Sequence, residues 1–327
     1  MKAIVLYGRG AEEVPSLIWE DVPDVGYGSD EVLVDVRAAG VNRADLLQAR
    51  GGYPPPSGAS EILGLEIAGV IVETGAAVTG WQPGDRVCAL LPGGGYASLA
   101  AVPAGMLLRL PDNWDYITAA AIPEAWYTAY INLFLEGMLQ RGERTLIHAG
   151  GSGVGTAAIQ LAHAAGSEVF ITAGQEVKLD YGRKLGAQLA VNYKRADFAA
   201  AVRDTIGGRG VDLILDPVGA DYFERNLGLL RSSGRLVQIG LLSGAEASIN
   251  LGLVLGKSLR IIGSRLRPRP LAEKITITRR FEAEVWPRLV SGELEAVVDS
   301  VFAIEEAAAA HAYVRQNRNL GKVILRR

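Results

Sequence analysis

The stretch Thr145 to Gly155, TLIHAGGSGVG, combines residue types that could bind a phosphate group. Its first four residues, Thr145 to His148, are mostly apolar and predict a short buried strand, which glycines and a serine follow at once. A helical pattern then runs from Thr156 to about Ala165. A strand, a glycine turn and a helix in this order suit a pyrophosphate. Glycines let the backbone come close to the anion, and the first N–H groups of the helix are free to donate to it.

The spacing of the glycines departs from the usual dinucleotide-binding pattern. Gly151-x-Gly153 would need a glycine or alanine at position 156, where Thr156 stands, and the chain offers Gly150-x-x-Gly153-x-Gly155 instead. An ordinary glycine-rich loop is therefore an alternative. The flanking strand and helix favour nucleotide binding.

Length and composition predict a globular protein of about two domains. The chain has 327 residues, of which 49% are hydrophobic and 40 are glycine. A formal net charge of -3 gives no general attraction to nucleic acid or to anionic membranes. The single cysteine, Cys88, excludes an intramolecular disulfide, fits a reducing compartment and is expected to be buried in a strand. No apolar stretch reaches the roughly 20 residues of a membrane span, and the N-terminus does not have a signal-peptide pattern. We therefore expect a cytoplasmic protein without nucleic-acid or membrane partners.

The elements around the glycine stretch change character twice along the chain. From Met1 to about Pro111 the predicted strands are short and separated by turns, which is typical of a small curled β domain. A mostly helical segment, Trp114 to Leu139, leads into the glycine stretch. Strands and helices then alternate, which predicts an α/β domain with a doubly wound parallel sheet of six strands. The tail, from about residue 268, is expected to fold back onto the N-terminal domain.

The six strands predicted for this sheet are Thr145–His148, Val169–Thr172, Leu189–Asn192, Val211–Leu215, Leu236–Ile239 and Leu259–Gly263. The helices predicted between the later strands are 176–186, 197–206 and 220–231.

Several stretches, in a fixed order, carry a resemblance to a known family. They are AAGVNRADLLQARGGYPPP (38–56), ILGLEIAGVI (62–71), GDRVCALLPGGGYA (84–97), AAIPEAWYTAY (120–130), LIHAGGSGVGTAAIQLA (146–162), LGA-LAVNY (185–193) and NLGKVIL (319–325). With them the chain resembles the zinc-free quinone oxidoreductase branch of the medium-chain dehydrogenase/reductase superfamily over nearly its whole length. Within that branch it is most similar to the tumour-suppressor-inducible quinone oxidoreductases.

The resemblance implies a fold and an activity. It implies a chaperonin-10-like β-barrel domain formed by residues 1–123 and 267–327, and a Rossmann NADPH-binding domain formed by residues 124–266. It also implies zinc-independent reduction of a small-molecule quinone by NADPH, with the quinone bound in the cleft between the domains. A homodimer or homotetramer is expected.

The residue types at the expected ligand positions do not suit a zinc site. Zinc-dependent members of the superfamily ligate the catalytic metal with a cysteine where this chain has Asn42, and with a histidine where it has Leu65. One cysteine and the histidines at 148, 163 and 311 cannot assemble that site or a four-cysteine structural site. His148 is predicted to pack below the glycine turn, and the other two to be structural or solvated. The chemistry is then hydride transfer by the cofactor itself.

The end of the second strand bears on which nicotinamide is used. NAD enzymes normally place Asp or Glu there, whereas this strand runs into Ala173-Gly174-Gln175. Lys178 stands where NADPH-using relatives carry a lysine for the 2′-phosphate, and Gly174 is expected to leave room for that phosphate. Tyr193 matches a tyrosine that lines the same pocket in relatives. Glu176 lies at about the right distance to keep NAD open, but NADPH is the expected cofactor.

The resemblance also implies the site residues. Asn42 aligns with a residue that approaches the nicotinamide ribose, and Tyr53 could stack on a quinone ring and offer its hydroxyl to the carbonyl, or simply pack on proline. Ser152 could bind cofactor phosphate or substrate, or cap the helix, and Asp45 is expected to be a helix-start acid. The expected catalytic residues are Tyr53, Asn42 and Ser152. The expected cofactor-binding residues are Asn42, Thr128, Ser152, Gly153, Val154, Gly155, Gly174, Lys178, Tyr193, Gly240, Leu241 and Lys322, and no metal ligand is expected.

Two other functions stay open. One is NADPH-dependent reduction of an activated carbon–carbon double bond, as in enoyl or alkenal reductases, which needs an acid for the α-carbon; Tyr53 is the candidate. The other is a cofactor-bound, non-enzymatic structural or RNA-binding role, as lens crystallin relatives of this branch suggest. Its supporting feature is a run of basic residues, Arg260, Arg265, Arg267, Arg269, Arg279 and Arg280.

Overall fold

The computed structural model describes residues 1–8 and 15–327, which form two compact units. The N-terminal unit comprises Met1–Tyr127 and Leu266–Arg327, and the central unit comprises Thr128–Arg265. Within the described residues, every helix is too short or too polar to cross a membrane.

The strands and helices are numbered along the chain. The strands are β1 (Lys2–Tyr7), β2 (Ser16–Asp21), β3 (Glu31–Val41), β4 (Glu66–Thr74), β5 (Arg86–Leu90), β6 (Leu99–Pro103), β7 (Leu107–Arg109), β8 (Arg144–Ile147), β9 (Glu168–Ala173), β10 (Leu189–Asn192), β11 (Val211–Asp216), β12 (Leu230–Gln238), β13 (Arg260–Gly263), β14 (Val298–Ala303) and β15 (Lys322–Arg326). The α-helices are α1 (Arg43–Ala49), α2 (Tyr116–Ala120), α3 (Pro123–Tyr130), α4 (Gly153–Ala164), α5 (Glu176–Lys184), α6 (Phe198–Thr205), α7 (Ala220–Leu229), α8 (Leu251–Gly256), α9 (Leu271–Glu284), α10 (Trp286–Val290) and α11 (Ala307–Arg315). A π-helical turn follows α3 (Ile131–Glu136), and 3-10 turns lie at Ala104–Met106 and Ile304–Glu306.

The central unit is built on a six-stranded parallel sheet with the spatial order β10-β9-β8-β11-β12-β13. The chain starts in the middle at β8, builds outward to β10, and returns to the other side of β8 with β11. The order therefore reverses between β8 and β11, and ligands of such sheets bind beside this reversal, at the carboxyl ends of the strands. The six-stranded parallel sheet expected from the sequence is confirmed.

The inner strands of this sheet are apolar because both of their faces are covered, whereas the edge strand β13 is mostly exposed. All six positions of β11, VDLILD, are buried. Helices α4 and α5 pack against β9, and α7 packs against β12. A cluster that includes Leu146, Phe170 and Leu236 forms the core. Continuous apolar strands of this kind are typical of parallel sheets.

Two element boundaries and one helix in the central unit differ from the sequence-based expectation. Helix α4 begins at Gly153 and not at Thr156, because Ser152 caps it three residues earlier, so two glycines form part of the first turn. Strand β12 begins at Leu230, where a helix end was predicted, and its pairing with β11 is irregular between Val211 and Leu213. Helix α8 was not predicted at all.

The N-terminal unit is organised around β3, a strand of eleven residues. One edge of β3 pairs with β4, and the other pairs with β6 along its first half and with β15 at its end. Strands β5 and β7 extend the sheet beyond β4, and β14 lies parallel to β15. The C-terminal tail thus enters the same sheet as the N-terminal segment. Strand β2, which was not predicted, pairs with β1.

Candidate active site

The glycine turn after β8 is shaped to accept an anion. Ala149 has a positive φ of 53°, and Ser152 ends the turn by capping α4, with its Oγ accepting a hydrogen bond from the N–H of Gly155 at 3.0 Å. A Cβ at Gly155 would clash with the carbonyl oxygen of Ala149 and lie 2.8 Å from the carbonyl carbon of Gly150, so only glycine fits. The N–H groups of Gly153 and Val154 lie in the first turn, where the helix offers them no acceptor. They can therefore donate to a phosphate.

Lys178 lies directly against this turn. It is in α5, only 9% exposed, and a Cβ at Gly151 would lie 2.6 Å from its Cδ and 2.8 Å from its Cγ. The aliphatic part of the lysine therefore covers the glycine backbone, which explains the glycine at 151. The structure brings the lysine predicted for the 2′-phosphate together with the turn predicted for the pyrophosphate.

Tyr193 and Lys194, which follow β10, lie over Gly174. A Cβ at Gly174 would be 2.8 Å from the Tyr193 hydroxyl oxygen and 3.0 Å from Cε of Lys194. The space where a side chain at 174 would lie is occupied by Tyr193, because the carboxyl ends of the parallel strands β9 and β10 lie side by side. That Gly174 also leaves room for a phosphate stays a prediction. Lys178, Lys194 and Arg195 are here called the basic corner of the central unit. Tyr193 is exposed, and it lies with Lys194 at the outer part of this corner. Sequence reasoning missed Lys194, although it stands next to a predicted site residue.

Glu176, the acid that left NAD as a possible cofactor, is hydrogen-bonded to other residues of the central unit. Its Oε1 accepts hydrogen bonds from Nδ2 of Asn192 at 2.8 Å and from Nη1 of Arg195 at 3.2 Å. A carboxylate held by an amide and a guanidinium group is less available to a ribose hydroxyl. Arg195 follows Lys194 in the loop after β10, so this loop brings two cations to the end of β9, where Arg195 pairs with Glu176. The end of β9 is therefore basic overall.

The loops after β11 and β12 are tied together at the same end of the sheet. The N–H of Ser243 donates to the carbonyl of Val218 at 2.8 Å, and Nε2 of Gln238 donates to the carbonyls of Asp216 at 2.8 Å and Gly240 at 2.6 Å. Leu241 is 55% exposed beside them. These loops place Gly240 and Leu241 at the carboxyl end of β12. Thr128, a further predicted cofactor residue, is half-buried in α3, and its carbonyl accepts a hydrogen bond from Asn132.

A buried polar chain lies below the glycine turn. The hydroxyl of Thr172 pairs with Nδ1 of His148 at 2.9 Å, and Nε2 of His148 pairs with Oδ1 of Asn226 at 2.8 Å. Asn226 donates its amide to Asp216 at 3.0 Å, so its oxygen faces the histidine and His148 carries its proton on Nε2. Burial lowers the pKa of His148 to about 4 and raises the pKa of Asp216 to about 6. The prediction that His148 is a packing residue below the turn is confirmed.

In the N-terminal unit, Asn42 is held by a buried ion pair. Nζ of Lys322 donates to Oε1 of Glu66 at 2.5 Å, to Oδ1 of Asn42 at 2.6 Å and to the carbonyl of Val41 at 3.0 Å. The Nδ2 group of Asn42 donates to the same oxygen of Glu66 at 2.8 Å. All three N–H donors of the Lys322 ammonium are therefore used inside the unit. Lys322 therefore orients the side chain of Asn42. The predicted direct contact of Lys322 with the cofactor stays a prediction.

Asp45 acts as the helix-start acid that the sequence predicted. Its carboxylate accepts from the N–H of Asn42 at 2.7 Å, which caps α1, and from the N–H of Gly64 at 3.1 Å. The hydroxyl of Tyr96 lies 3.2 Å from it and 3.2 Å from Nε2 of His311. Burial raises the pKa of the fully buried Asp45 to about 6 and lowers that of His311 to about 4.

Tyr53 lies against a buried arginine. Arg267 is only 4% exposed, and its guanidinium carbon lies 5.3 Å from the centre of the Tyr53 ring. The guanidinium donates to the carbonyls of Tyr53 and Pro92 and, at 2.8 Å, to the side-chain oxygen of Gln48. The half-buried tyrosine is thus positioned by a cation on its face. Sequence reasoning had placed Arg267 only in a basic run.

Glu124, in the first turn of α3, completes this group. Its N–H donates to Oε2 of Glu66 at 2.9 Å, and burial followed by the charge of Glu66 raises the pKa of its side chain to about 8. Sequence reasoning missed both acids. The sequence did contain a signal for them. Glu66 is the one charged residue of the apolar segment GLEIAGV, and Glu124 is the one charged residue of AIPEAW. Charged residues are rarely buried in an apolar segment unless they have a structural or functional role.

Two family models match the chain. The model described as an alcohol dehydrogenase GroES-like domain matches residues 28–112, and the model described as a zinc-binding dehydrogenase matches residues 153–278. A 2-haloacrylate reductase from a Burkholderia species is 31% identical over 99% of this chain and 98% of its own length. The chain belongs to the medium-chain dehydrogenase/reductase family. As a family member it is an oxidoreductase that uses a nicotinamide cofactor.

Solved structures of family members share its fold. An Escherichia coli quinone oxidoreductase complexed with NADPH has a TM-score of 0.89 and 29% identity, with 100% of both chains covered. An NAD-dependent alcohol dehydrogenase has a TM-score of 0.88 and 31% identity, again over 100% of both chains. Erythronolide synthase EryA2 of Saccharopolyspora erythraea is 34% identical over 97% of this chain, which spans only 8% of the synthase. The two solved relatives name different cofactors, so the choice depends on the residues of this chain.

The side chains of this family member fit a dinucleotide but not zinc. Glycines 151 and 155 let the turn fold tightly against Lys178 and the backbone of Ala149 and Gly150, next to the N–H groups of Gly153 and Val154 that can donate to a phosphate. For zinc, the one cysteine, Cys88, is buried in β5, and burial raises the pKa of its thiol. Within residues 1–8 and 15–327, no three His, Cys, Asp or Glu side chains are grouped to hold a metal ion. The donor set of the zinc site is therefore not provided by these residues.

Proposed function

We propose that this protein is a zinc-independent reductase that transfers hydride from NADPH to a quinone. The observation that carries the cofactor choice is the basic corner of the central unit. Lys178 covers the glycine turn, Lys194 lies over Gly174 at the end of β9, and Arg195 pairs with Glu176. A phosphate on the adenosine ribose would meet the cations of Lys178 and Lys194, whereas the acid that could hold a free hydroxyl, Glu176, is already bonded to Asn192 and Arg195.

The quinone is supported by the chemistry of the N-terminal unit and by one relative. A flat, electron-poor ring needs a stacking partner and a hydrogen-bond donor for its oxygen. Tyr53 offers both, and Arg267 holds it in place. The structurally similar E. coli protein is a quinone oxidoreductase complexed with NADPH.

The cofactor, when bound, supplies the hydride. Gly153 and Val154 would hold its pyrophosphate, and Lys178 its 2′-phosphate. The amide of Asn42 is fixed by Lys322 and Glu66, so it presents one orientation to the nicotinamide ribose. The protein thus contributes positioning and charge compensation, and the reduction needs no metal ion because the product of quinone reduction is aromatic.

The test is a turnover panel with the purified protein. Quinones and α,β-unsaturated carbonyl compounds are each offered with NADPH and with NADH, and cofactor oxidation is followed by absorbance. We expect quinone reduction with a kcat/KM for NADPH at least tenfold above that for NADH. Equal kcat/KM values for the two cofactors would contradict the assignment of a 2′-phosphate site. Turnover of unsaturated carbonyl compounds without turnover of quinones would show that the substrate is not a quinone.

A second candidate is reduction of an activated carbon–carbon double bond. A relative that covers nearly the whole chain is a 2-haloacrylate reductase, whose substrate is an unsaturated acid. This reaction needs a proton for the α-carbon. The same panel separates a quinone reductase from a double-bond reductase, because a double-bond reductase should reduce simple quinones much more slowly than unsaturated carbonyl compounds.

The structure weighs against the RNA-binding alternative. Arg267 is buried, Arg269 pairs with Glu273 at 2.5 Å, and Arg280 lies 3.4 Å from Glu284. Arg279 forms an ion pair with Glu282 as well. Most of the basic run is thus compensated by carboxylates or enclosed. Binding of single-stranded RNA with a steep salt dependence would restore this alternative.

A further inference from the structure

Glu66 and Glu124 are two neighbouring carboxyl groups in different environments. Glu66 is fully buried, and its oxygens accept from Lys322, from Asn42 and from the backbone N–H of Glu124. This set of donors stabilises the charged form of Glu66. Glu124 is only half-buried, and its hydrogen bond to Glu66 is made by its backbone N–H and not by its side chain.

The surroundings of Glu124 favour its neutral form. Burial raises its pKa most, the Glu66 charge raises it further, and Lys322 lowers it, to give a pKa of about 8. The ionisable groups that act on it come from several elements: Glu66 on β4, Lys322 on β15, Asp45 on α1, Arg267 before α9 and Lys274 on α9. Glu124 is therefore mostly protonated at pH 7, while solvent can still reach the residue.

Glu124 is linked to one of the residues expected at the reacting end of the substrate. The carboxylate of Glu66 bridges it to Asn42, with one oxygen bonded to the Asn42 amide and the other to the Glu124 N–H. The charge of Arg267, the arginine that lies on the Tyr53 ring, also acts on Glu124. A protonated acid thus belongs to the same group of residues as Asn42 and Tyr53.

We propose that Glu124 is the catalytic acid that protonates the reduced substrate. The proposal rests on the proposed function and names the proton source for it. With a quinone, two electrons arrive with the hydride and leave an oxyanion; the O–H bond of Glu124 breaks and an O–H bond of the hydroquinone forms. With an unsaturated carbonyl compound, hydride adds to the β-carbon and the proton of Glu124 goes to the α-carbon. The Glu124 carboxylate then regains a proton from water.

A first experiment measures the proton on Glu124 without cofactor or substrate. Protein labelled with ¹³C at glutamate side-chain carboxyls is titrated by NMR from pH 5 to pH 9, as wild type and as Glu124→Gln. We expect one carboxyl that titrates near pH 8 in the wild type and is missing in the variant. If every glutamate carboxyl has titrated below pH 6, the acid is not Glu124.

A second experiment tests the proton transfer. The substitution Glu124→Gln keeps the shape of the side chain but removes its acid, and Glu124→Asp keeps an acid on a shorter side chain. With an unsaturated carbonyl substrate we expect kcat to fall about 10²-fold in Glu124→Gln, with partial recovery in Glu124→Asp. With quinones the fall is about tenfold, because the oxyanion can also take its proton from water. The KM for NADPH should stay within twofold.

The pH profile separates this role from a structural one. In the wild type kcat should decline above about pH 8, and in Glu124→Gln the decline should be gone. The exposed Glu305→Gln serves as the matched control and should retain the wild-type profile. A Glu124→Gln variant with unchanged kcat and an unchanged profile overturns the proposal, while wild-type quinone reduction leaves the proposed function standing. A wild type that reduces neither substrate class overturns the proposed function instead, and the NMR titration still reports on Glu124.

Discussion

Gly40 leaves the space that the carboxylate of Glu66 occupies. A Cβ at position 40 would lie 2.6 Å from Cδ of Glu66 and 2.7 Å from the backbone carbonyl oxygen of Ala120. The carboxylate could move only by giving up its bonds to Lys322 and Asn42, and the carbonyl cannot move without shifting α2. The buried ion pair therefore depends on a glycine in the neighbouring strand.

The variant Gly40→Ala should lose stability. We expect the free energy of unfolding to drop by about 2–4 kcal/mol, because a well-packed site is overfilled and a buried ion pair is disturbed. Chemical denaturation followed by circular dichroism measures it. The control is Gly26→Ala in the same unit, where a Cβ meets nothing within 4 Å and no loss is expected. Equal stability of the two variants would contradict the close contact between Gly40 and Glu66.

The variant Lys178→Ala should weaken NADPH binding selectively. A charged hydrogen bond to the 2′-phosphate contributes about 1.5–3 kcal/mol, so the KM for NADPH should rise tenfold or more, and the KM for NADH should change little. Steady-state kinetics with both cofactors measure this. Lys184→Ala, an exposed lysine of the same helix, is the control and should leave both values unchanged. A similar rise for both cofactors would mean that Lys178 only packs on the glycine turn.

The variant Tyr53→Phe should lower quinone turnover modestly. It keeps the ring on Arg267 and removes a hydroxyl whose hydrogen bond is worth about 1 kcal/mol, so kcat should fall about fivefold. Tyr53→Ala removes the stacking surface as well and should mainly raise the KM for the quinone. If Tyr53→Phe and Tyr53→Ala have the same kcat and the same KM for the quinone, the ring does not contribute to binding beyond the hydroxyl.

Each of the two buried histidines should contribute less to stability in acid. Burial lowers the pKa values of His148 and His311 to about 4, below the value of about 6.5 for an unfolded chain. Each histidine favours the folded state above that unfolded value, and its contribution is lost as the pH falls towards 4. Between pH 7 and pH 5 the loss is about 2 kcal/mol for each. Burial raises the pKa values of Asp45, Asp216 and Glu124, and these acids favour the folded state as the pH falls. The histidine contribution is therefore measured by urea unfolding at several pH values as the difference between the wild type and a histidine variant.

The variant His148→Gln separates the two histidines. Glutamine can still pair with Asn226 but does not titrate. Between pH 7 and pH 5 the change in the free energy of unfolding should therefore differ between His148→Gln and the wild type by about 2 kcal/mol, the share of this one histidine. The exposed His163 is the control, and His163→Gln should leave the pH dependence as in the wild type. A wild-type pH dependence in His148→Gln would show that this histidine is not the group that acid protonates.

The sequence was informative wherever local spacing fixes local backbone geometry. The strand, glycine turn and helix around residues 145–165 were predicted because glycine and apolar residues there follow the rules of one βαβ turn. The start of α4 was placed three residues late, since capping by Ser152 was one of several roles that its hydroxyl could have taken. The close contact of Tyr193 with Gly174 could not be predicted from spacing, because the tyrosine follows a separate strand.

The sequence by itself thus determined the six-stranded parallel sheet, the glycine turn, the family and the lack of a zinc ligand set. The tertiary structure decided which ionisable groups meet. Lys322 reaches Asn42 and Glu66 across 280 and 256 residues of chain, because β15 returns to pair with β3. Sequence spacing does not encode such distances, since they depend on strand order and register. The proton on Glu124 has the same origin: it depends on burial and on a neighbouring charge, which exist only once the sheet has formed.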